Sequence, residues 1–357
     1  MKKKYIVIIS ILILLSLYSC NKRKIWDPTI ELAEGKHVLD IERFLDCDGI
    51  TFAIHLNWKD VIAAGVLDDL YIMIDKIGSR VSYSSVKSEI AVDELLGLMS
   101  LDIEKDIYNI MAVFQLDDPD EPNVFFIIQG NFEGKHKKII DAISPLMFYP
   151  LSEKKTFGGL VYYTLYSIEM PVFSFIDNKT FMIALKKESL DWGLNLILPR
   201  KEESIDDPVI QDICRLRDRD NTAWVIISEP GEVMKESMQE PSLFDFPHLE
   251  DIKYICGDSK MNGKNSTESM IFYVSDDKIL NETLSFMKQY NEKSRLMESN
   301  YPGLQQLSKN MNYSIDKKLK SVSMDTTFDL DASVKDLMRK LDDMLPMLGS
   351  YGNMRYR

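Results

Sequence analysis

Cysteine and histidine are scarce in this chain, with four of each among 357 residues. No two of His37, His55, His136 and His248 stand at metal-ligand spacing, and neither H-E-x-x-H nor a Cys/His cluster occurs. The local zinc-site signatures are therefore missing. Glycine-built motifs are missing too. There is no G-x-S-x-G, no P-loop and no G-x-G-x-x-G, and the pair Gly158-Gly159 reads as a turn before a strand. Basic residues are outnumbered, 43 Lys and Arg against 56 Asp and Glu, for a net charge of −13. An acidic surface repels phosphate backbones, so nucleic acid is not an expected partner. Beyond the N-terminus no apolar run reaches the ~20 residues that span a bilayer. The longest, 61–77, is broken by Asp68, Asp69 and Asp75 and reads as a buried helix.

What the chain does have begins at its first residues. Lys2, Lys3 and Lys4 precede an apolar run over 5–15. Leu17-Tyr18-Ser19-Cys20 follows, and Asn21-Lys22-Arg23-Lys24 switches at once to polar. The pattern is a charged n-region, a short h-region and a cleavage site. It resembles the lipobox of bacterial lipoprotein precursors. The resemblance implies a diacylglyceryl group on the thiol of Cys20, cleavage before it, a signal peptide over 1–19, a tether over 20–35 and a place in the cell envelope. Asn21 after the cysteine, in place of an acid, points by the same resemblance to an outer membrane, facing the periplasm, in an organism with two membranes. Loss of the three leader lysines takes the charge from −13 to −16. The acyl chains must then do the anchoring, helped by Lys22, Arg23 and Lys24. Cys47, Cys214 and Cys256 remain. An odd count excludes a fully paired disulfide framework, and the thiols read as small buried hydrophobes. Sequence does not choose among them for one bridge.

The mature chain reads as one unit written twice. Residues 37–62 lie over 209–234 without a gap, matching Asp40 with Asp212, Ile41 with Ile213, Arg43 with Arg215, Asp46 with Asp218, Asp48 with Asp220 and Ile54 with Ile226. Weaker agreement resumes at Asp106-Ile107 over Asp251-Ile252 and at 125–128 over 270–273. Each unit opens with a helix (Val38, Ile41, Phe44 and Leu45 at helical spacing), turns at 46–49 and enters a strand over 51–56. A second helix follows, with Asn57 as cap and Asp60 closing a capping box; its counterpart begins at Ser228-Glu229-Pro230. Strands over 106–116 and 123–132 flank the acidic loop 117–122, and their counterparts turn at Asn262-Gly263, a strong hairpin dipeptide. Helices follow over 135–143 and 279–287. Further strands cover 160–166, 172–176 and 180–185, then helices start at 188 and 332. The expected fold is α+β, two tandem divergent repeats, each a mostly antiparallel sheet with helices packed on one face. Boundaries fall at 36–199 for repeat one, 200–208 for a charged linker, 209–348 for repeat two and 349–357 for a C-terminal tail.

Few residues suggest chemistry. Asp46, Asp48, Asp218 and Asp220 recur in both repeats. They could form a duplicated cation site, but turn hydrogen bonds with an Arg ion pair explain them more simply. A calcium loop fails, because Phe44 and His55 cannot serve as its end ligands. The acids of 117–121 read as a solvated hairpin tip. Ser-x-x-Lys occurs at four places without its companion motifs. Met338, Leu341, Met344 and Leu345 form a core stripe on the last helix. No cofactor and no metal is expected. The leading expectation is a non-enzymatic, membrane-anchored lipoprotein, a binding or envelope-structural module with a protein or small-molecule ligand held between the repeats. Two alternatives stand beside it: a hydrolase using scattered carboxylates such as Asp46 and Asp48, and a lipid or lipoprotein carrier, which requires a dry apolar cavity.

Overall fold

The computed structural model describes residues 39–47, 50–65, 97–116, 122–146, 151–155, 160–165, 171–197, 207–218, 220–230, 249–263, 265–297 and 309–329, with 302, 332–333, 335–336 and 339. Cys20, Asp48, His37, His248, the 117–121 loop and the Met338–Leu345 stripe lie outside them.

The described elements, in chain order, are α1 (Ile41–Leu45), β1 (Ile50–Asn57), α2 (Trp58–Ala63), α3 (Ile103–Asp106), β2 (Ile107–Leu116), β3 (Asn123–Gly130), α4 (His136–Leu146), β4 (Leu151–Lys155), β5 (Val161–Leu165), β6 (Val172–Phe175), β7 (Thr180–Ala184) and α5 (Lys187–Ile197). Then come α6 (Pro208–Asp218), β8 (Ala223–Ser228), β9 (Ile252–Asn262), β10 (Asn265–Val274), α7 (Asp277–Met297), β11 (Asn312–Asp316) and β12 (Ser321–Asp329). The strands form one continuous antiparallel sheet in the order β11-β12-β10-β9-β8-β1-β2-β3-β7-β6-β5-β4. The expected α+β class holds, but a separate sheet for each half does not. β1 and β8 pair directly, from Phe52 opposite Ile227 to Leu56 opposite Ala223.

Local chemistry explains several boundaries. The Asp40 carboxylate accepts from the Arg43 N–H and caps α1, and the Asn57 side chain caps α2 in the same way. The expected capping box does not form, because the Asn57 N–H donates instead to the carbonyl of Thr222 across the sheet, at 2.7 Å. Pro208 opens α6, where its missing N–H costs nothing. The Asp207 side chain accepts from Val209 N–H at 2.7 Å. The hairpin at Asn262-Gly263 forms as expected, with Gly263 at φ 59°.

Helices on one face was the expectation; they cover both. Adjacent residues in the strands enter different cores. Val172, Met182 and Tyr273 pack with α1, α5 and α6 through Phe44, Leu190 and Ile213. Phe173 and Phe181 pack on the opposite side with α4 through Ile139 and Ile143, and Phe272 packs with α7 through Ile279 and Leu280. Burying each such side chain stabilises by ~1.5–3 kcal/mol, which drives closure of both faces. α5 comes close to the sheet because Gly193 has no side chain. A Cβ there would lie 2.1 Å from Met182 Cε and 2.9 Å from the Phe125 ring.

The gapless overlay of the two halves is also corrected in its strand. In the helices the overlaid residues Ile41, Phe44, Ile213 and Leu216 are all buried in one cluster. In β1 and β8 it matches Ala53 with Val225 and Ile54 with Ile226. The ladder pairs Ala53 with Ile226 and Ile54 with Val225. Only Ala53 and Ile226 face the α1/α6 core, so the overlay sets matched residues on opposite faces. A one-residue shift between helix and strand restores the facing.

Candidate functional site

The recurring acids do not assemble. Arg43 pairs not with Asp46 but with its own helix cap, Asp40 Oδ2, at 2.8 Å, and a guanidinium N–H donates to the Asn195 carbonyl. Arg215 approaches Asp212, which lies inside α6 rather than at its cap, at 3.7 Å, and Tyr273 Oη donates to the other oxygen of that carboxylate at 2.8 Å. One turn of helix separates each aspartate from its arginine, so the pair closes locally before a turn aspartate can compete. Asp46 is exposed and ends α1, its N–H donating to the carbonyl of Glu42 at 3.0 Å. Asp218 is the last residue of α6. Asp220 is exposed and pairs with Lys260 at 2.8 Å. The Lys260 ammonium holds the Asp220 carboxyl below the usual carboxylate range. Among the described residues no three His, Cys, Asp or Glu come together as a metal site.

Two described histidines lie against rings. His55 stacks on Trp224, its partner in the β1·β8 ladder, with centroids 5.3 Å apart. Its Nδ1 is buried without a hydrogen-bond partner, and burial lowers its pKa to about 4. His136 stacks on Phe175 at 4.0 Å, and burial lowers its pKa as well. An imidazole held neutral against a ring is built for packing rather than for proton transfer near neutrality.

Cys47, Cys214 and Cys256 are not joined in a disulfide. Cys256 is fully buried, and its burial pushes the thiol pKa up. Cys47 and Cys214 are only partly buried. A thiol-labelling time course on the native protein is therefore expected to modify Cys47 and Cys214 well before Cys256, which reacts only once denaturant is added.

The junction between the halves is a hydrogen-bonded ladder within the sheet. The cavity described here lies elsewhere, at the β11 edge. It is an open polar groove of about 700 Å³ with Asn265, Asn310, Asn312, Thr327 and Asp329 on its walls. Sequence reasoning missed it. The signal available was the pair of amides Asn310 and Asn312 set against Asp325, Thr326, Thr327 and Asp329.

Among the described residues no helix is long and apolar enough to cross a membrane. No protein-family model matches the chain, and no curated protein matches it. Among solved structures it is similar to TP0453 in crystal forms I and III, at 10% identity and a TM-score of 0.44, over 82% of this chain and 94% and 96% of those chains.

Proposed function

We propose that this chain is a bacterial lipoprotein, tethered to the cell envelope through acyl chains on Cys20, whose α+β body acts without catalysis as a binding or envelope-structural module. The observation that carries this reading is the segment Leu17-Tyr18-Ser19-Cys20 between an apolar run and a basic stretch. One acyl chain holds a protein to a bilayer only marginally, and two hold it stably. A diacylglyceryl group supplies two, and Lys22, Arg23 and Lys24 add attraction to anionic headgroups. A non-catalytic role is supported by the fates of two candidate carboxylates: Asp46 is exposed at the end of α1, and Asp220 pairs with Lys260 on the surface.

The body is a duplicated unit in this reading. Strand order supports it. Outward from the central pair, β1-β2-β3-β7-β6 on one side is answered by β8-β9-β10-β12-β11 on the other, and β5 and β4 are additions to the first half. The helices α4 and α7 take equivalent places, each following the third strand of its half and covering the same face. The ligand of such a module meets a broad sheet with helices on either side, because the halves are joined by strand pairing.

The anchor is tested in a bacterial host by metabolic labelling with a palmitate analogue and by membrane fractionation. The wild-type chain is expected to incorporate label and to sediment with membranes. Cys20→Ala should do neither, and should accumulate as unprocessed precursor. Unchanged labelling and fractionation of Cys20→Ala would overturn the reading.

A further inference from the structure

Among the described residues, the outermost strand β11 is shorter than the β12 strand it borders. β12 runs to Asp329 and pairs along its length with β10, ending at Asp329 opposite Asn265. β11 pairs with β12 only from Asp316 opposite Ser321 to Asn312 opposite Asp325. Beyond Asp325, β12 has no strand partner on its outer side among the described residues. The polar groove occupies that gap. Asn310 reaches into it, and its side-chain amide donates to the Thr327 carbonyl at 2.9 Å. That bond shows which way the backbone points. In an antiparallel strand a residue's N–H and C=O lie on the same side, and alternate residues repeat the direction. The N–H of Thr327 and both groups of Asp329 therefore also face the groove. Asn310 stands where the N–H of a neighbouring strand would stand.

We propose that this slot is a docking site for an extended peptide of another protein, which adds a short strand beside Thr327–Asp329 and displaces the Asn310 side chain. Backbone pairing at an exposed sheet edge is an established mode of recognition, with affinity from the main chain and selectivity from alternate side chains. Local charge selects the peptide. Asp325 is exposed, Asp329 lies on the wall, and Lys309 is the cation that faces them in the groove. Within a strongly acidic protein, that surface suits a basic, hydroxyl-bearing strand. The opposite margin of the sheet is made differently. β4 carries Glu153 and Lys154, charges of the kind that discourage pairing at an edge. β11 has a single charged residue, Asp316, at its far end from the slot.

The test uses the full mature chain and a labelled heptapeptide of alternating lysine and threonine, read by fluorescence anisotropy. A control peptide has the same side chains but N-methylated alternate amides, which removes its donors and keeps its charge. Saturable binding of the first peptide is expected, with the control weaker by about tenfold, the worth of roughly one to two hydrogen bonds. Asn310→Ala frees the Thr327 carbonyl and should tighten binding by about threefold, a gain that loss of structure would not produce. Its melting curve, taken alongside, checks that the fold is retained. Equal binding of both peptides would reduce the site to charge attraction and overturn the proposal. So would no saturable binding at millimolar peptide, or an Asn310→Ala variant that is folded and binds no tighter than the parent.

Discussion

Gly130→Ala is expected to destabilise the protein by about 3 kcal/mol, near the upper end for overpacking in a close-packed site. The reason lies where β2, β3 and α4 meet. A Cβ on residue 130 would fall 2.3 Å from the carbonyl oxygen of Asp106. That atom is backbone and has no rotamer to change. It is also engaged, since Asn131 N–H donates to it at 2.8 Å. The Asp106 carboxylate fixes the same corner from the other side, pairing with Lys135 at 2.7 Å and accepting from Asp102 N–H at 2.8 Å. Both side chains of that ion pair are largely buried, so shifting Asp106 to admit a methyl group disturbs a desolvated pair as well as a strand end. Gly97→Ala is the control, because a Cβ at residue 97 meets nothing within 4 Å and alanine favours the helical conformation found there. Urea unfolding should show a large fall in midpoint for Gly130→Ala and none for Gly97→Ala. Equal midpoints would mean that the corner is looser than its geometry.

The second large effect is acid sensitivity centred on His55. Its pKa of about 4 in the folded protein lies below the ordinary 6.5. The unfolded chain therefore takes up a proton between pH 6.5 and 4 that the folded protein refuses. By linkage, the stability from this group is complete above pH 6.5, falls as pH drops towards 4 and changes no further below that. The loss approaches ~3 kcal/mol at about 1.4 kcal/mol per unit of pKa. His136, lowered by its own burial, acts with the same sign. His55→Phe keeps a ring against Trp224 and removes the proton site; the unpaired Nδ1 leaves no hydrogen bond behind. Denaturant midpoints at pH 7 and 4.5 should fall much further for the parent than for His55→Phe. Parallel falls in the two proteins would assign the acid limb to carboxylates instead.

The sequence made some of this architecture legible and hid the rest for physical reasons. The hairpin at Asn262-Gly263 was readable because its chemistry is local. So was the cap at Asn57, which needs only neighbours in the chain, whereas the start of α6 at Pro208 was missed and read as the end of a linker. Coverage of both sheet faces also had a trace. Phe125-Phe126-Ile127-Ile128 and Phe181-Met182-Ile183-Ala184 are unbroken apolar runs, the pattern of strands buried on both sides. A one-faced sheet would alternate. The β1·β8 ladder left no such trace, because pairing between distant strands is written in no local period. The shift between helix and strand was equally hidden, since Ile54 and Ile226 match as letters while facing opposite layers. At the candidate site, Arg43 had acids on both flanks in sequence. Only geometry shows that Asp40 takes it and that Asp46 stays in solvent.

The central ladder has a consequence for the origin of the molecule. Under the duplication reading, β1 and β8 descend from one strand, and they pair antiparallel with Ala53 opposite Ile226 near the middle. An antiparallel ladder between two copies of one strand is self-complementary and generates a two-fold axis. A half-length ancestor would have carried that strand as a bare edge, and the cheapest cover for it is the same edge of a second molecule. The single chain then looks like a homodimer made permanent by fusion. Under that same reading, an association that depended on concentration becomes intramolecular, and each half is then released from the demands of symmetry. Among the described residues, β5 and β4 have no counterpart beyond β11, the asymmetry that such a release would permit.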